Sequence, residues 1–231
     1  MKKKTVLEHI LDSLTVLTII ATVLFAIGGI AFNMVYIKTS VIGYSMYPTL
    51  NTNAPTAESE GDIVFINKYS EIKNNDIVVA NVAWWNLGPI IKRVVACPGD
   101  VLQIKEDAEN YTLYVNGDLL YSKPKTTEAT DKLGNSSDFY QLYQEFLINP
   151  KFENNVIEIN NEKYIIMQQD EYFLIGDNWG ESTDSMQKGP VKADKIVGTV
   201  EIVASYGEEP IWVMVKEIIK IIFVPNWLKN T

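Results

Sequence analysis

The feature that most constrains this chain is an uncharged run of 25 consecutive residues, Ser13 to Ile37, rich in Leu, Ile, Val, Ala and Phe. About 20 such residues are enough to cross the hydrocarbon core of a bilayer. A cleaved leader would have an apolar stretch of about 7–15 residues before a polar cleavage region. Here the run continues past Ala26 and Gly28, the small residues at cleavage-site spacing. The run therefore predicts a retained transmembrane anchor over 13–37; a cleaved leader and a buried core helix are the alternatives.

The charges on either side of the run predict its orientation. Lys2, Lys3 and Lys4 precede it, and Lys38 alone follows it. Positive charge collects on the cytoplasmic side of membrane spans. Residues 1–12 are therefore expected in the cytoplasm and the domain after Lys38 outside.

Composition excludes several classes of function. The net charge is -9 and no dense Lys/Arg cluster occurs beyond the N-terminus, so nucleic acid is not an expected partner. One cysteine and one histidine cannot form an internal disulfide or a structural zinc site. Because His9 lies on the cytoplasmic side of the anchor, an outward Ser-His-Asp triad is impossible, and lysine is the remaining common base for a serine nucleophile.

After the anchor, β-branched and aromatic runs alternate with turn residues, and no long amphipathic helix interrupts them. Asn116-Gly117 between two such runs indicates a hairpin. We therefore predict a mainly β fold: an antiparallel β-rich domain with an N-terminal transmembrane helix and a small inserted subdomain. The clearest strand segments are Asp62–Asn67, Asp76–Ala83, Ile90–Cys97, Val101–Lys105, Tyr111–Val115, Tyr172–Ile175 and Ile196–Ala204.

Composition also divides the domain. Residues 38–121 and 162–206 are expected to form its two core parts, separated by an insertion at 122–161 with one possible helix, Ser137–Leu147. The segment 207–231 is apolar but carries Lys216, Glu217 and Lys220, which argues against a second span. It is either an interfacial helix, which Trp212 and Trp227 would suit, or a helix packed on the domain.

Three short segments contain residues with catalytic potential. The first, 43–50, reads Gly-Tyr-Ser-Met-Tyr-Pro-Thr-Leu, with Ser45 braced by Pro48. The second places Lys92 and Arg93 within an otherwise uncharged strand pattern; only the lysine can be deprotonated. The third, 176–185, reads Gly-Asp-Asn-Trp-Gly-Glu-Ser-Thr-Asp-Ser. Each alone also fits an ordinary turn, an edge strand or a polar loop.

Together, in this order and after a single anchor, the three segments resemble the boxes of bacterial type I signal peptidases, in their Gram-positive-like form. That family shows Ser-Met-x-Pro-Thr-Leu, Lys-Arg-Val-x-x-x-Pro-Gly-Asp and Gly-Asp-Asn-x-x-x-Ser-x-Asp-Ser. The resemblance implies that Ser45 is the nucleophile and Lys92 the general base, and that the Ser45 N–H contributes to the oxyanion hole. It further implies that Ser182 orients the lysine. Other residues it assigns to the site are Arg93, Asp177 and Asp184 as supports and Gly43 beside the oxyanion hole.

The resemblance also implies what this chain acts on. The family removes signal peptides from exported preproteins, cutting after Ala-x-Ala-like sites that bind in extended form. The expected partners are such preproteins and the lipid bilayer; no metal, organic cofactor or oligomer is implied. The alternative is a pilus-dedicated relative acting mainly as a peptide-binding assembly chaperone, which would not need to retain both Ser45 and Lys92.

The chain departs from the family pattern in the third box. Trp179 and Met186 stand where the family has arginines, so Asp184 is expected to lack its ion-pair partner. From the sequence we expect Met186→Arg to be tolerated and to stabilise the protein slightly, by about 0–1 kcal/mol, if the pair is partly exposed.

Overall fold

The computed structural model describes residues 5–106, 109–124 and 155–223. The chain divides into two compact units, a helical one formed by Met1–Ile37 with Glu208–Thr231 and a β-rich one formed by Lys38–Gly207. The predicted helix Ser137–Leu147, and most of the predicted insertion, lie outside the described residues.

The helical unit contains α1 (Val6–Val35) and α3 (Pro210–Phe223). The first turn of α1 is closed by a capping box, in which Thr5 and Glu8 each accept a backbone N–H from the other. Among the described residues, α1 is the one helix long and apolar enough to cross a membrane, and only 6% of its apolar window is buried. The core helix of a soluble protein, by contrast, would be mostly buried. The helix begins before the predicted anchor, and residues 36–37 lie in the following strand.

The β-rich unit contains two sheets, and the pairs among β2 to β12 are antiparallel. The larger has seven strands in the order β1-β2-β12-β3-β4-β10-β11. Its strands are β1 (Tyr36–Ser40), β2 (Ile63–Asn67), β3 (Ile77–Ala80), β4 (Ile90–Ala96), β10 (Glu171–Ile175), β11 (Val191–Lys192) and β12 (Ile196–Ala204).

The smaller sheet has five strands in the order β7-β6-β5-β9-β8. Its strands are β5 (Val101–Glu106), β6 (Asn110–Val115), β7 (Asp118–Pro124), β8 (Val156–Ile159) and β9 (Glu162–Ile166). The short helix α2 (Ser185–Lys188) follows β10 in the chain, after a 3-10 turn at Trp179–Glu181.

Antiparallel β architecture is confirmed, and each of the seven strand segments expected from the sequence contains a strand. The Asn116-Gly117 hairpin is also confirmed, since both residues have positive φ, 52° and 89°, between β6 and β7. The sequence did not indicate β1, β8, β9 and β11, and it implied β7 only through the hairpin. The predicted insertion 122–161 includes the end of β7 and the whole of β8. The two ends of that segment therefore belong to the smaller sheet.

Three apolar clusters hold the β-rich unit together. One joins residues of both sheets and includes Phe173, Trp179 and Met186. A second lies around Val78 and Leu174. The third packs Met46 and Leu50 against β2 and β3, so the segment that carries Ser45 is anchored in the core on its C-terminal side.

Candidate active site

Ser45 lies in a turn between β1 and β2 whose position is fixed by buried neighbours. Met46 and Leu50 are each 1% exposed, and the Leu50 N–H donates to the Met46 carbonyl at 2.9 Å. These two side chains point into the core, whereas Ser45 itself remains half-buried. The alternation of apolar and polar residues in this segment therefore holds the serine at the edge of the domain.

A buried pair that the sequence reading missed fixes the same turn. The Asn51 N–H donates to Asp62 Oδ2, and the Asp62 N–H donates to Asn51 Oδ1, both at 2.8 Å. The Asn51 amide also donates to the carbonyls of Val41 and Gly43. The only sequence signal was a carboxylate just before an apolar strand, which is too common to be informative.

Lys92 projects from the centre of β4 toward Ser45. Its side chain is buried, its Nζ lies 2.7 Å from Ser45 Oγ, and it donates to the Ile91 carbonyl at 3.1 Å. Burial lowers the pKa of Lys92 to about 8, against the opposing charges of Asp184 and Asp177. The lysine can therefore be neutral at a mildly alkaline pH and accept a proton.

The loop after β10 meets the Ser45 turn at close range. The Asn178 N–H donates to the Ser45 carbonyl at 3.0 Å. A Cβ on Gly176 would lie 2.5 Å from that carbonyl oxygen and 2.3 Å from Ser182 Oγ. Only a residue without a side chain fits where these two groups converge.

Ser182 is buried behind the Ser45–Lys92 pair but differs from expectation in its hydrogen bond. Its hydroxyl donates to Asp184 Oδ2 at 2.5 Å, and no hydrogen bond joins it to Lys92 in the described part of the chain. Asp184 also accepts the N–H groups of Gly176 and Met186. Burial raises the pKa of this carboxyl, opposed chiefly by the hydrogen bonds from Gly176 and Ser182. In this structure Ser182 therefore supports Asp184, and its role in orienting the lysine stays a prediction.

Arg93 links the loops on the other side of the site. Its guanidinium binds both carboxylate oxygens of Asp177, at 2.8 Å and 2.6 Å. The Thr49 hydroxyl donates to the same carboxylate at 2.5 Å, and Arg93 donates to the Asn75 carbonyl. The bidentate pair ties β4 to the loop after β10, and the Thr49 hydrogen bond joins the Ser45 turn to the same carboxylate. Thr49 belongs to the first sequence box but was not singled out.

The two positions that differ from the family pattern are apolar and buried. Met186 is 2% exposed and Trp179 is 7% exposed, in the cluster shared by the two sheets. The Trp179 ring meets Tyr121 of β7 edge to face, with centroids 5.4 Å apart. Packing against the smaller sheet therefore holds this loop.

This burial overturns the expectation that Met186→Arg is tolerated. The new guanidinium would enter a closed apolar cluster, while Asp184 already accepts three hydrogen bonds. We expect the variant to lose about 3 kcal/mol of unfolding free energy, as for an uncompensated buried charge. The control is Met186→Leu, which conserves volume and should cost less than about 1.5 kcal/mol. Denaturant unfolding of both measures the difference, and an unchanged midpoint for Met186→Arg would contradict this packing.

A cavity of about 470 Å³ opens beside Ser45 and Lys92. Its walls include the end of β1 with the residues after it, 39–46, the loop before β4, and Glu181 and Thr183. Gly43 lines it, but its N–H donates to the Ala57 carbonyl. The Ser45 N–H, by contrast, makes no hydrogen bond within the described residues.

Comparison with known proteins shows which family this chain belongs to. A family model described as "Signal peptidase, peptidase S26" matches residues 12–205. Signal peptidase I T of Bacillus subtilis is 32% identical over 171 residues, 71% of this chain and 70% of that protein. Signal peptidase I of Streptococcus pneumoniae serotype 4 is 31% identical over 177 residues, 68% of this chain and 76% of that protein.

One further curated protein and one solved structure match less closely. Signal peptidase IB of Staphylococcus aureus strain COL is 28% identical over 202 residues, 86% of this chain and 88% of that protein. A crystal structure of a signal peptidase I from Enterococcus faecalis has 22% identity and a TM-score of 0.34, covering 57% of this chain and 98% of that one. Since the family model spans most of the sequence, from the anchor to the last strand, this chain belongs to the bacterial type I signal peptidases, peptidase family S26.

Proposed function

We propose that this chain is a membrane-bound serine endopeptidase that removes signal peptides from exported preproteins, with Ser45 as nucleophile and Lys92 as general base. The observation that carries the proposal is the 2.7 Å approach of a buried lysine Nζ to a half-buried serine Oγ beside an open cavity. Burial of an unpaired lysine is costly, and such perturbed groups cluster at functional sites.

The chemistry follows from these positions. Neutral Lys92 takes the proton of the Ser45 hydroxyl as Oγ attacks the scissile carbonyl, and the Ser45 N–H donates to the resulting oxyanion. The Lys92 ammonium then gives its proton to the leaving amine, and an acyl-enzyme remains on Ser45. A water deprotonated by Lys92 attacks the ester, and the released Ser45 oxygen recovers the proton.

The substrate site is the cavity beside Ser45. Strand β1 is an edge strand of the larger sheet, and its end lines the cavity, so an extended peptide can add to the open edge. Small side chains before the scissile bond, as in Ala-x-Ala, would fit against the apolar walls. In this proposal α1 spans the membrane with residues 1–12 in the cytoplasm and the catalytic unit outside.

A peptide-binding chaperone is the weaker candidate. Such a protein needs the cavity and the open strand edge but gains nothing from a desolvated lysine at 2.7 Å from a serine hydroxyl. No observation in the described residues favours it.

The test is cleavage of a preprotein by the full-length chain in detergent micelles. A preprotein with an Ala-x-Ala site should be cut once, after the second alanine, as read from the mass of the product. The matched control carries phenylalanine in place of that alanine and should remain intact. A protein that binds the first preprotein without cutting it would support the chaperone instead.

Gly176→Ala tests the close approach behind Ser45. The added methyl would clash with both the Ser45 carbonyl and Ser182 Oγ, so both must move. We expect a stability loss of about 1–3 kcal/mol from overpacking, and roughly a hundredfold lower kcat/KM because the nucleophile moves. The double variant Gly176→Ala with Ser182→Ala removes only the hydroxyl contact and should remain impaired. Wild-type activity in Gly176→Ala would show that the Ser45 backbone is not held where the structure has it.

A further inference from the structure

The C-terminal helix α3 carries three distinct faces. Ile218 is 2% exposed and lies with Ile222, one turn later, against α1. Trp212 and Ile219, two turns apart on one flank, are 64% and 40% exposed. Lys216 lies one turn after Trp212 and borders that flank, and Lys220 lies one turn later toward the polar side of the helix, where it pairs with Glu217. A helix packed only on protein has no reason to expose the Trp212 and Ile219 flank.

The contact with α1 fixes the depth of α3. A Cβ on Gly28 would lie 2.7 Å from Ile218 Cγ2 and 3.1 Å from Ile222 Cδ1, whereas one on the neighbouring Gly29 would meet nothing within 4 Å. Gly28 is 15 residues into the uncharged run that starts at Ser13. At 1.5 Å per residue Gly28 lies about 22 Å beyond Ser13 along the helix axis, inside a hydrocarbon core about 30 Å thick that begins near Ser13.

We propose that α3 is a membrane-embedded part of the anchor: it lies in the outer interface of the bilayer, fastened to α1 at Gly28, with Trp212 and Ile219 in lipid. Its 14 residues span only about 21 Å, too short to cross the core. Tryptophan on the lipid flank and lysines from its border toward the polar side match the residues of the interfacial region. The occupant of the exposed flank is lipid because α1, in the same compact unit, is itself apolar and almost wholly exposed.

The test is depth-dependent fluorescence quenching of the full-length protein in phosphatidylcholine vesicles. In a Cys97→Ser background, single cysteines replace Trp212, Ile219, Lys216, Lys220 or Leu17, and each carries an environment-sensitive dye. Lipids brominated on their acyl chains should quench the dye at 212 and 219, reach the dye at 216 on the border of that flank only weakly, and leave the dye at 220 bright. Because the inference rests on the membrane span proposed for α1, the dye at 17 reports that span separately.

The outcomes are distinguishable. Loss of emission at 17 but not at 212 or 219 would overturn the placement of α3 while leaving the anchor intact. Equal quenching at all four α3 positions would also overturn it, since the helix would then be immersed on every side. Disulfide-linked pairs of chains through a cysteine at 212 would show that a second copy covers this flank instead. If the dye at 17 is not quenched, α1 does not span the membrane, and the placement of α3 fails with it.

A matched glycine pair tests the contact itself. Gly28→Leu must push Ile218 away and should reduce quenching at 219, whereas Gly29→Leu, at a position where an added Cβ has open space, should leave it unchanged. Equal quenching in the two variants would show that Gly28 does not hold α3 at its depth.

Discussion

Ser45→Ala is expected to abolish cleavage of an Ala-x-Ala preprotein while leaving the fold and membrane insertion intact. The lost atom is the one that lies 2.7 Å from Lys92 Nζ, and Lys92 keeps its hydrogen bond to the Ile91 carbonyl. Removing the nucleophile of a triad-type protease costs at least about a thousandfold in kcat. The residual rate is measured from the product formed over a long incubation. It is compared with the rate of wild-type enzyme at a known dilution.

The control for that experiment is Ser40→Ala. Ser40 also lines the cavity but lies at the end of β1, and we give it no role in proton transfer. It should retain most of the activity. Turnover in Ser45→Ala above one part in a thousand of wild type would point to another nucleophile.

Lys92→Met and Lys92→Arg should both be inactive but should differ in stability. Methionine matches the length of the lysine stem and removes a group whose charged form is costly to bury. A pKa of about 8, against 10.5 in the unfolded chain, corresponds to about 3 kcal/mol. Lys92→Met should therefore be as stable as wild type or more stable near neutral pH. Lys92→Arg should be less stable, because arginine cannot lose its charge.

The pH dependence of activity and of stability tests the role of Lys92 in a second, independent way. Because the folded pKa of Lys92 lies below its unfolded value, the destabilising contribution is fully present below pH 8 and is lost as the pH rises from about 8 toward 10.5. The kcat/KM of wild type should rise with pH through an apparent pKa of about 8. Unfolding at pH 7 and pH 10 should show a larger gain for wild type than for Lys92→Met. Substantial activity in Lys92→Arg would rule out the lysine as base.

The sequence predicted the β architecture from local patterns, whereas it predicted the Ser45–Lys92 pair from the resemblance of three segments to one family. Strand β4 alone, with Lys92 and Arg93 among apolar residues, also fits an edge strand. The hairpin at Asn116-Gly117 is equally local, since positive φ is required at both residues. Strands such as β8 and β9, with mostly exposed side chains, carry a weaker pattern.

What the sequence could not predict depends on contacts between distant segments. The hydrogen bonds that join Asn51 to Asp62 need the fold to bring them together, and so does the choice of Ser182 between Lys92 and Asp184. The burial of Met186 was misjudged because the apolar residues that cluster with it come from both sheets and from the turn at Trp179. An apolar residue at this position supports the loop by packing, whereas an arginine would support it by an ion pair. The packing depends on the fold, so the sequence alone does not show it.

The edge-to-face contact between Tyr121 and Trp179 has a consequence for how the enzyme responds to salt. Ion pairs near a protein surface weaken as ionic strength rises, because mobile ions screen them within about 10 Å at 0.1 M. Aromatic packing has no such dependence, and salts such as sulfate strengthen apolar burial. With the loop that carries Asp184 held by rings and a thioether, high ionic strength should leave this half of the site as rigid as before. In the location proposed for the catalytic unit, outside the cytoplasm, this half of the site would keep its geometry as the external salt varies, whereas the Arg93–Asp177 pair on the other half would respond to salt.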